Sequence, residues 1–263
     1  MTTASAEPES KLHIVNPDPR YGRAQLLEPT TLGYILLECT VVPAKVPIVL
    51  PNSGRSELIG QLKEIGSRLQ RSEEVVAVNV FRSVVVPPTA KFFEWVREQG
   101  DDAVETANFD VVVLVQAITP TAARGLLAHP ELAALSAAMR EHASRVSAFV
   151  AKNGKRIGDV DVSRKDDLYL FNHFAGEDPE VVRELWDFLA DWYVKETGLH
   201  NSVGLVPDDG LTSEYAIVNW ASWDDTLVGH FARSLGKPSF WKYIKGNLDA
   251  NHAASMPVYC RLA

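Results

Sequence analysis

Residues 213–223 read SEYAIVNWASW and run directly into Asp224-Asp225. With a period of two, Tyr215, Ile217, Asn219, Ala221 and Trp223 share one face of a strand, and Ala216, Val218, Trp220 and Ser222 share the other. An asparagine among apolar neighbours costs free energy to bury unless its amide finds partners. The bland explanation is an ordinary strand whose Asn219 satisfies a nearby backbone group. The chemical explanation is an amide donor beside a wide indole surface, which suits a flat, oxygen-bearing ring system.

The chain on either side shows what such a strand would belong to. Residues 1–30 are rich in Pro, Glu, Ser and Thr without a sustained period, and are expected to form an extended arm. A strand over 33–42 (GYILLECTVV) is followed by a helix over 56–71, with Leu58, Leu62, Ile65 and Leu69 on one face. A second strand is expected over 75–86. A short helix follows over 89–99, with Phe92, Phe93 and Val96 on one side, and then a strongly apolar strand over 109–118. Thr119-Pro120 opens a helix that breaks at His129-Pro130. Helical spacing then runs through Leu132, Leu135, Met139, Val146 and Phe149. The Asn153-Gly154 pair signals a turn into a fourth strand over 156–162.

After a short polar junction at 163–165 the order repeats. LYLFNHF at 168–174 is a strand, and Asp178-Pro179 caps a helix that buries Val182, Leu185, Trp186, Leu189 and Trp192. A strand at 202–206, the opening stretch, a broken helix and a closing strand over 254–262 complete the half. Thr119-Pro120 and His129-Pro130 recur as Asp224-Asp225 and Lys237-Pro238, 105–108 residues later. Each half reads β-α-β-β-α-β, so the expected fold is α+β: two tandem ferredoxin-like repeats, 31–162 and 166–263, packed as an internal dimeric α/β barrel. Two unrelated α+β domains are the alternative.

Composition narrows the function classes. A formal net charge of −8 opposes nucleic-acid binding, which needs a basic face. No apolar run approaches the roughly 20 residues that span a bilayer, and the first residues lack the basic and apolar segments of a signal peptide. A cytoplasmic protein is expected, with Cys39 and Cys260 as buried free thiols. No Cys/His cluster has metal-ligand spacing and no glycine-rich dinucleotide loop occurs, so no metal is expected.

The halves differ where chemistry would show. Where the second half has Asn172, the first has Leu37 or Cys39. Opposite Asn219 and Trp223 it has valine, or Leu114, Ala117 or Ile118. A single active pocket in 166–263 is therefore expected, with polar substitution at Leu114 or Ile118 harming folding alone.

With Asn172, Asn219 and Trp223 in view, the C-terminal half resembles the antibiotic-biosynthesis monooxygenase superfamily. The resemblance is carried by Asn219-x-x-x-Trp223 at the end of the third strand of that half. A fused tandem of this length with a degenerate first half is similar to the ring-opening oxygenases of angucycline biosynthesis, those of the jadomycin, gilvocarcin, kinamycin and fluostatin pathways. The resemblance implies oxidative cleavage of a carbon–carbon bond in a polycyclic phenol or quinone, with O2 and reduced flavin. It implies Asn172 and Asn219 as donors to a developing oxyanion and Trp223 as a stacking surface. Anthrone oxygenases carry a tyrosine on the following helix. Here His230 stands in roughly that place and becomes the candidate acid–base group. Trp186, Tyr215 and Phe231 are expected substrate-binding walls, whereas His173 and Trp220 alternate to the opposite face. Reduced FMN or FAD would arrive as a loosely bound co-substrate from a flavin reductase, and a homodimer is a candidate assembly. Three rivals stand beside this reading: a cofactor-free anthrone-type monooxygenase, a haem-degrading enzyme and a non-catalytic binding protein. The haem branch needs a histidine where this chain has Ala232 and Arg233.

Overall fold

In a computed structural model, which describes residues 11–42, 47–100 and 105–263, the two halves build one closed barrel of eight antiparallel strands. The first half contributes β1 (Gly33–Thr40), α1 (Ser53–Leu69), β2 (Val75–Val85), a 3-10 turn (Thr89–Phe92), α2 (Glu94–Gln99), β3 (Val111–Ala117), α3 (Pro120–Leu126), α4 (Pro130–His142) and β4 (Arg145–Gly158). The second contributes β5 (Leu168–Gly176), α5 (Pro179–Thr197), β6 (Ser202–Pro207), β7 (Ile217–Trp223), α6 (Leu227–Arg233), a π-helical turn (Phe240–Lys245), α7 (Gly246–Ala250) and β8 (Ala253–Leu262). The halves present their strands as β4-β1-β3-β2 and β8-β5-β7-β6, the same ferredoxin-like order twice. Pairing of β2 with β8 and of β4 with β6 closes the ring, so no sheet edge is left open.

Closure explains why β1 and β5 are buried on both faces. Alternation sends Tyr34, Leu36 and Glu38 inward with Tyr169, Phe171 and His173, while Ile35, Leu37 and Cys39 meet α1, α3 and α4 outside. Both cysteines are free and buried. Trp220 points into the barrel and stacks on Phe171 at 6.5 Å between ring centres. His173, also inside and fully buried, sits 2.9 and 3.0 Å through Nε2 from the two carboxylate oxygens of Glu38, itself fully buried. Its Nδ1 lies 3.3 Å from the Met256 carbonyl. Both ring nitrogens face oxygens, one pair from the Glu38 carboxylate and one from the Met256 backbone. One strand from each half supplies this pair, which ties the halves together at the barrel centre.

Four local expectations need correction. Helix α4 ends at His142, and Ala143 is extended (φ −112°, ψ 144°), so Val146 and Phe149 belong to β4. Their spacing of three mimics a helix, but β4 has ladders to fill on both sides, with β1 and β6. The Asn153-Gly154 pair is no turn. It sits inside β4 at a register shift, where a Cβ on Gly154 would come within 2.9 Å of Val206 Cγ1. The segment 89–99 is a 3-10 turn and a short helix, separated by extended Phe93, which leaves Phe92 exposed. The helix after β7 starts later than Asp224: Thr226 caps α6 and accepts from the Gly229 N–H at 3.1 Å.

The described part of the N-terminal arm lies first along the second half and then, at Leu27–Thr30, against β4 of the first, where Leu27 bridges Arg156 and the Thr30 N–H donates to Asn153 Oδ1 at 2.8 Å. His13 and Val15 donate backbone N–H groups to the side chains of Asn251 and Asn247, each at 2.8 Å, and Tyr21 donates its hydroxyl to Glu196 at 2.6 Å. No helix among the described residues is long and apolar enough to cross a membrane.

Leu114 and Ile118, grouped together by sequence, separate here. Leu114 is 0% exposed inside the barrel, and Ile118 is 46% exposed beyond the end of β3. Leu114→Ser should therefore cost about 3–5 kcal/mol, and Ile118→Ser about 0.5 kcal/mol or less. Urea unfolding midpoints of the two variants check this.

Candidate active site

The outer face of β5 and β7 beneath α5 carries the candidate site. Asn172 and Asn219 are direct partners in the β5–β7 ladder, as are Leu168 and Trp223 four residues along. In the first half Leu37 pairs with Val113 at the same central place, and Leu58, Leu62, Leu126 and Leu135 fill the space above. Polar groups thus face the helix layer in one half and aliphatic packing in the other.

Ser202 on β6 donates its hydroxyl to Asn219 Oδ1. This fixes the amide with its NH2 end free of the strand ladder. Gly204, two residues on, leaves room for Trp186: a Cβ there would meet Ile217 Cδ1 at 2.9 Å and the Trp186 ring at 3.6 Å. A cavity of about 20 Å³ lies between the sheet and α5, walled by Asn172, Asn219, Trp223, Ser202, Trp186 and Tyr193 among others. That is room for about one water. A larger cleft of about 330 Å³ lies at Pro47, Val86–Pro88 and Met256, away from the amides.

Unpaired polar atoms gather at the cavity and behind its wall. Asn172 Oδ1, Trp223 Nε1 and His230 Nδ1 are all buried without a hydrogen-bond partner. Each such group costs about 1–3 kcal/mol, and of the three only Asn172 and Trp223 belong to residues that line the cavity. His230 is buried behind Trp223, with ring centres 4.5 Å apart, and its Nε2 lies 3.2 Å from the Tyr259 hydroxyl. Burial pushes its pKa down to about 4, so the ring is neutral at neutral pH.

The expected site residues are thus brought together only in part. Asn172, Asn219, Trp223 and Trp186 line one cavity. His230 adjoins it through Trp223 without lining it. Phe231 packs on Tyr259, with ring centres 5.0 Å apart, one layer further out. Tyr215 is elsewhere: it lies before β7 begins, turns into the barrel, and meets His173 edge-on at 4.7 Å. Its N–H donates to Ser213 Oγ at 3.0 Å, so the alternation that holds from Ile217 onward does not extend back to it. Two polar lining residues went unnoticed in the sequence, Ser202 and Tyr193. Tyr193 could have been found, since it stands seven residues after Trp186 and four after Leu189 and is half-buried at the edge of the apolar stripe of α5. Ser202 could not, because strand register decides its neighbour.

Among the described residues no group of three or more His, Cys, Asp and Glu is placed to hold a metal ion. The cavity walls contain no lysine or arginine to meet a flavin phosphate.

The fold is that of two ferredoxin-like repeats fused into one α/β barrel, with the amide-walled cavity beneath α5 as its candidate site. No family model and no curated protein matches the sequence. Solved structures do match the fold. A candidate monooxygenase from Fusobacterium nucleatum subsp. nucleatum aligns over 89% of this chain and 93% of its own, at TM-score 0.55 and 5% identity. An anthrone oxidase-like protein aligns over 88% and 93%, at TM-score 0.55 and 14% identity. A candidate monooxygenase from Lactobacillus acidophilus aligns over 89% and 96%, at TM-score 0.50 and 10% identity. At these identities the likeness is one of fold.

Proposed function

We propose that this protein is an oxygenase of a polycyclic aromatic polyketide, an angucycline-type phenol or quinone, which it opens by oxidative carbon–carbon cleavage with O2 and reduced flavin. The observation that carries the reading is the pair Asn172–Asn219 with Trp223, facing a cavity in one repeat where the other repeat places a cluster of leucines and valines. Names of the structural neighbours, monooxygenase and anthrone oxidase-like, support the oxygenase part of this reading. Fold alone would not, since one fold hosts many activities.

The chain's own residues orient and stabilise. The Asn219 NH2 donates to a substrate oxygen that gains negative charge, and Asn172 Oδ1 accepts from a substrate hydroxyl. Trp223 and Trp186 form the flat apolar walls, and Trp223 Nε1 is a further donor. Reduced flavin supplies electrons as a diffusing co-substrate from a flavin reductase, in keeping with walls that hold no cation for its phosphate. A cavity of about 20 Å³ must open to admit three or four fused rings. Helix α5 supplies Trp186, Leu189, Ala190 and Tyr193 to the wall, so the opening lies between α5 and the sheet.

Purified protein should be inert toward a hydroxylated angucyclinone with O2 alone. It should turn over when flavin reductase, NAD(P)H and FMN or FAD are added, and EDTA should leave the rate unchanged. Full activity with O2 and substrate only would reassign it to the cofactor-free anthrone type, and loss of activity with EDTA would sink the metal-free mechanism. A Soret shift on adding haemin would favour the haem branch, although His230 Nε2 is already held by Tyr259 and Arg233 is paired with Asp225.

A further inference from the structure

We propose that Tyr193 is the proton donor of this cavity, its phenol meeting the substrate oxygen on which negative charge develops. The inference rests on the oxygenase reading of the same site. Of all the side chains lining the cavity, Tyr193 alone is ionisable; the rest are aliphatic, aromatic, amide or serine. Its hydroxyl has no protein hydrogen-bond partner among the described residues. The ring is held edge-on against Trp192, with ring centres 5.0 Å apart, on the wall of α5 that faces the amides of β5 and β7. His230 and Tyr259, hydrogen-bonded to each other, do not line the cavity.

Burial raises the Tyr193 pKa above the usual phenol range, so at neutral pH the group is an O–H donor and not a base. As charge grows on the substrate oxygen, the Tyr193 O–H bond breaks and an O–H bond forms on the substrate. The tyrosinate left behind recovers its proton from water when the cavity opens to release product. Asn219 remains a hydrogen-bond donor throughout and transfers nothing. Asn172 Oδ1 holds a neighbouring hydroxyl of the ligand, which sets the reacting oxygen toward α5.

The test uses Tyr193→Phe, which keeps the ring and removes the hydroxyl, on the full chain, with alizarin as a flat phenolic probe whose colour reports its ionisation. On wild-type protein the bound dye should ionise at a pH lower by about one unit or more than on the variant, as expected for loss of one donor to a phenolate. With the angucyclinone substrate, kcat should fall about 100-fold while KM changes by less than about threefold. Ala190→Leu, which fills the cavity from the same helix, should abolish dye binding. Equal dye ionisation in wild type and Tyr193→Phe would overturn the proposal. So would an unchanged kcat, or a dye that fails to bind wild-type protein. If the dye shift depends on Tyr193 but no reduced flavin supports turnover, the donor role stands and the oxygenase reading fails.

Discussion

Asn219→Ala should lower turnover by about 100- to 1,000-fold, the cost of removing one preorganised donor from a developing oxyanion. The donor is preorganised because Ser202 occupies Oδ1 and leaves the NH2 end as the free one. The same bond predicts a side effect. With the amide gone, the Ser202 hydroxyl is buried without a partner, and stability should drop by about 1–3 kcal/mol. Removing that hydroxyl as well, in Ser202→Ala/Asn219→Ala, should recover much of the stability and none of the rate. Measuring kcat together with the urea midpoint separates the two effects. Parental turnover in Asn219→Ala would end the oxyanion role.

A large stability effect should come from the barrel interior, where β1 and β5 supply Glu38 and His173. Replacing either Glu38 or His173 by Ala leaves its partner uncompensated in the barrel centre, which should cost about 3–5 kcal/mol. In thermal terms that is a lowering of the melting midpoint by about 6–20 °C. Joint replacement by apolar residues of similar volume should cost much less, because no lone polar group remains. A thermal double-mutant cycle reads this directly: a large coupling energy is expected. Single variants within about 1 kcal/mol of the parent would show that the pair contributes little to joining the halves.

Much of the fold was legible in the chain because its signals are local. Period-two and period-3.6 stripes, Pro at helix starts and the doubled Thr119-Pro120 and His129-Pro130 pattern all act over a few residues. β4 was misread for the same reason: Val146 and Phe149 satisfy a helical spacing, and only ladders on both sides make the segment a strand. The parity of β5 and β7 placed Asn172, Asn219 and Trp223 on a shared face and set His173 and Trp220 against it. It could not say where β7 begins, and that start turned Tyr215 into the barrel.

By itself, then, the sequence determined the doubled β-α-β-β-α-β order and which strand faces are polar, since both follow from periodicity. Tertiary structure alone decided which polar group meets which. Ser202 finds Asn219 through the register of β6 on β7, and a slip of one residue would point it to the other face. Glu38 finds His173 across 135 residues only because the two sheets close into a ring. Tyr193 joins the amides because α5 lies over β5 and β7, a contact set by packing between layers.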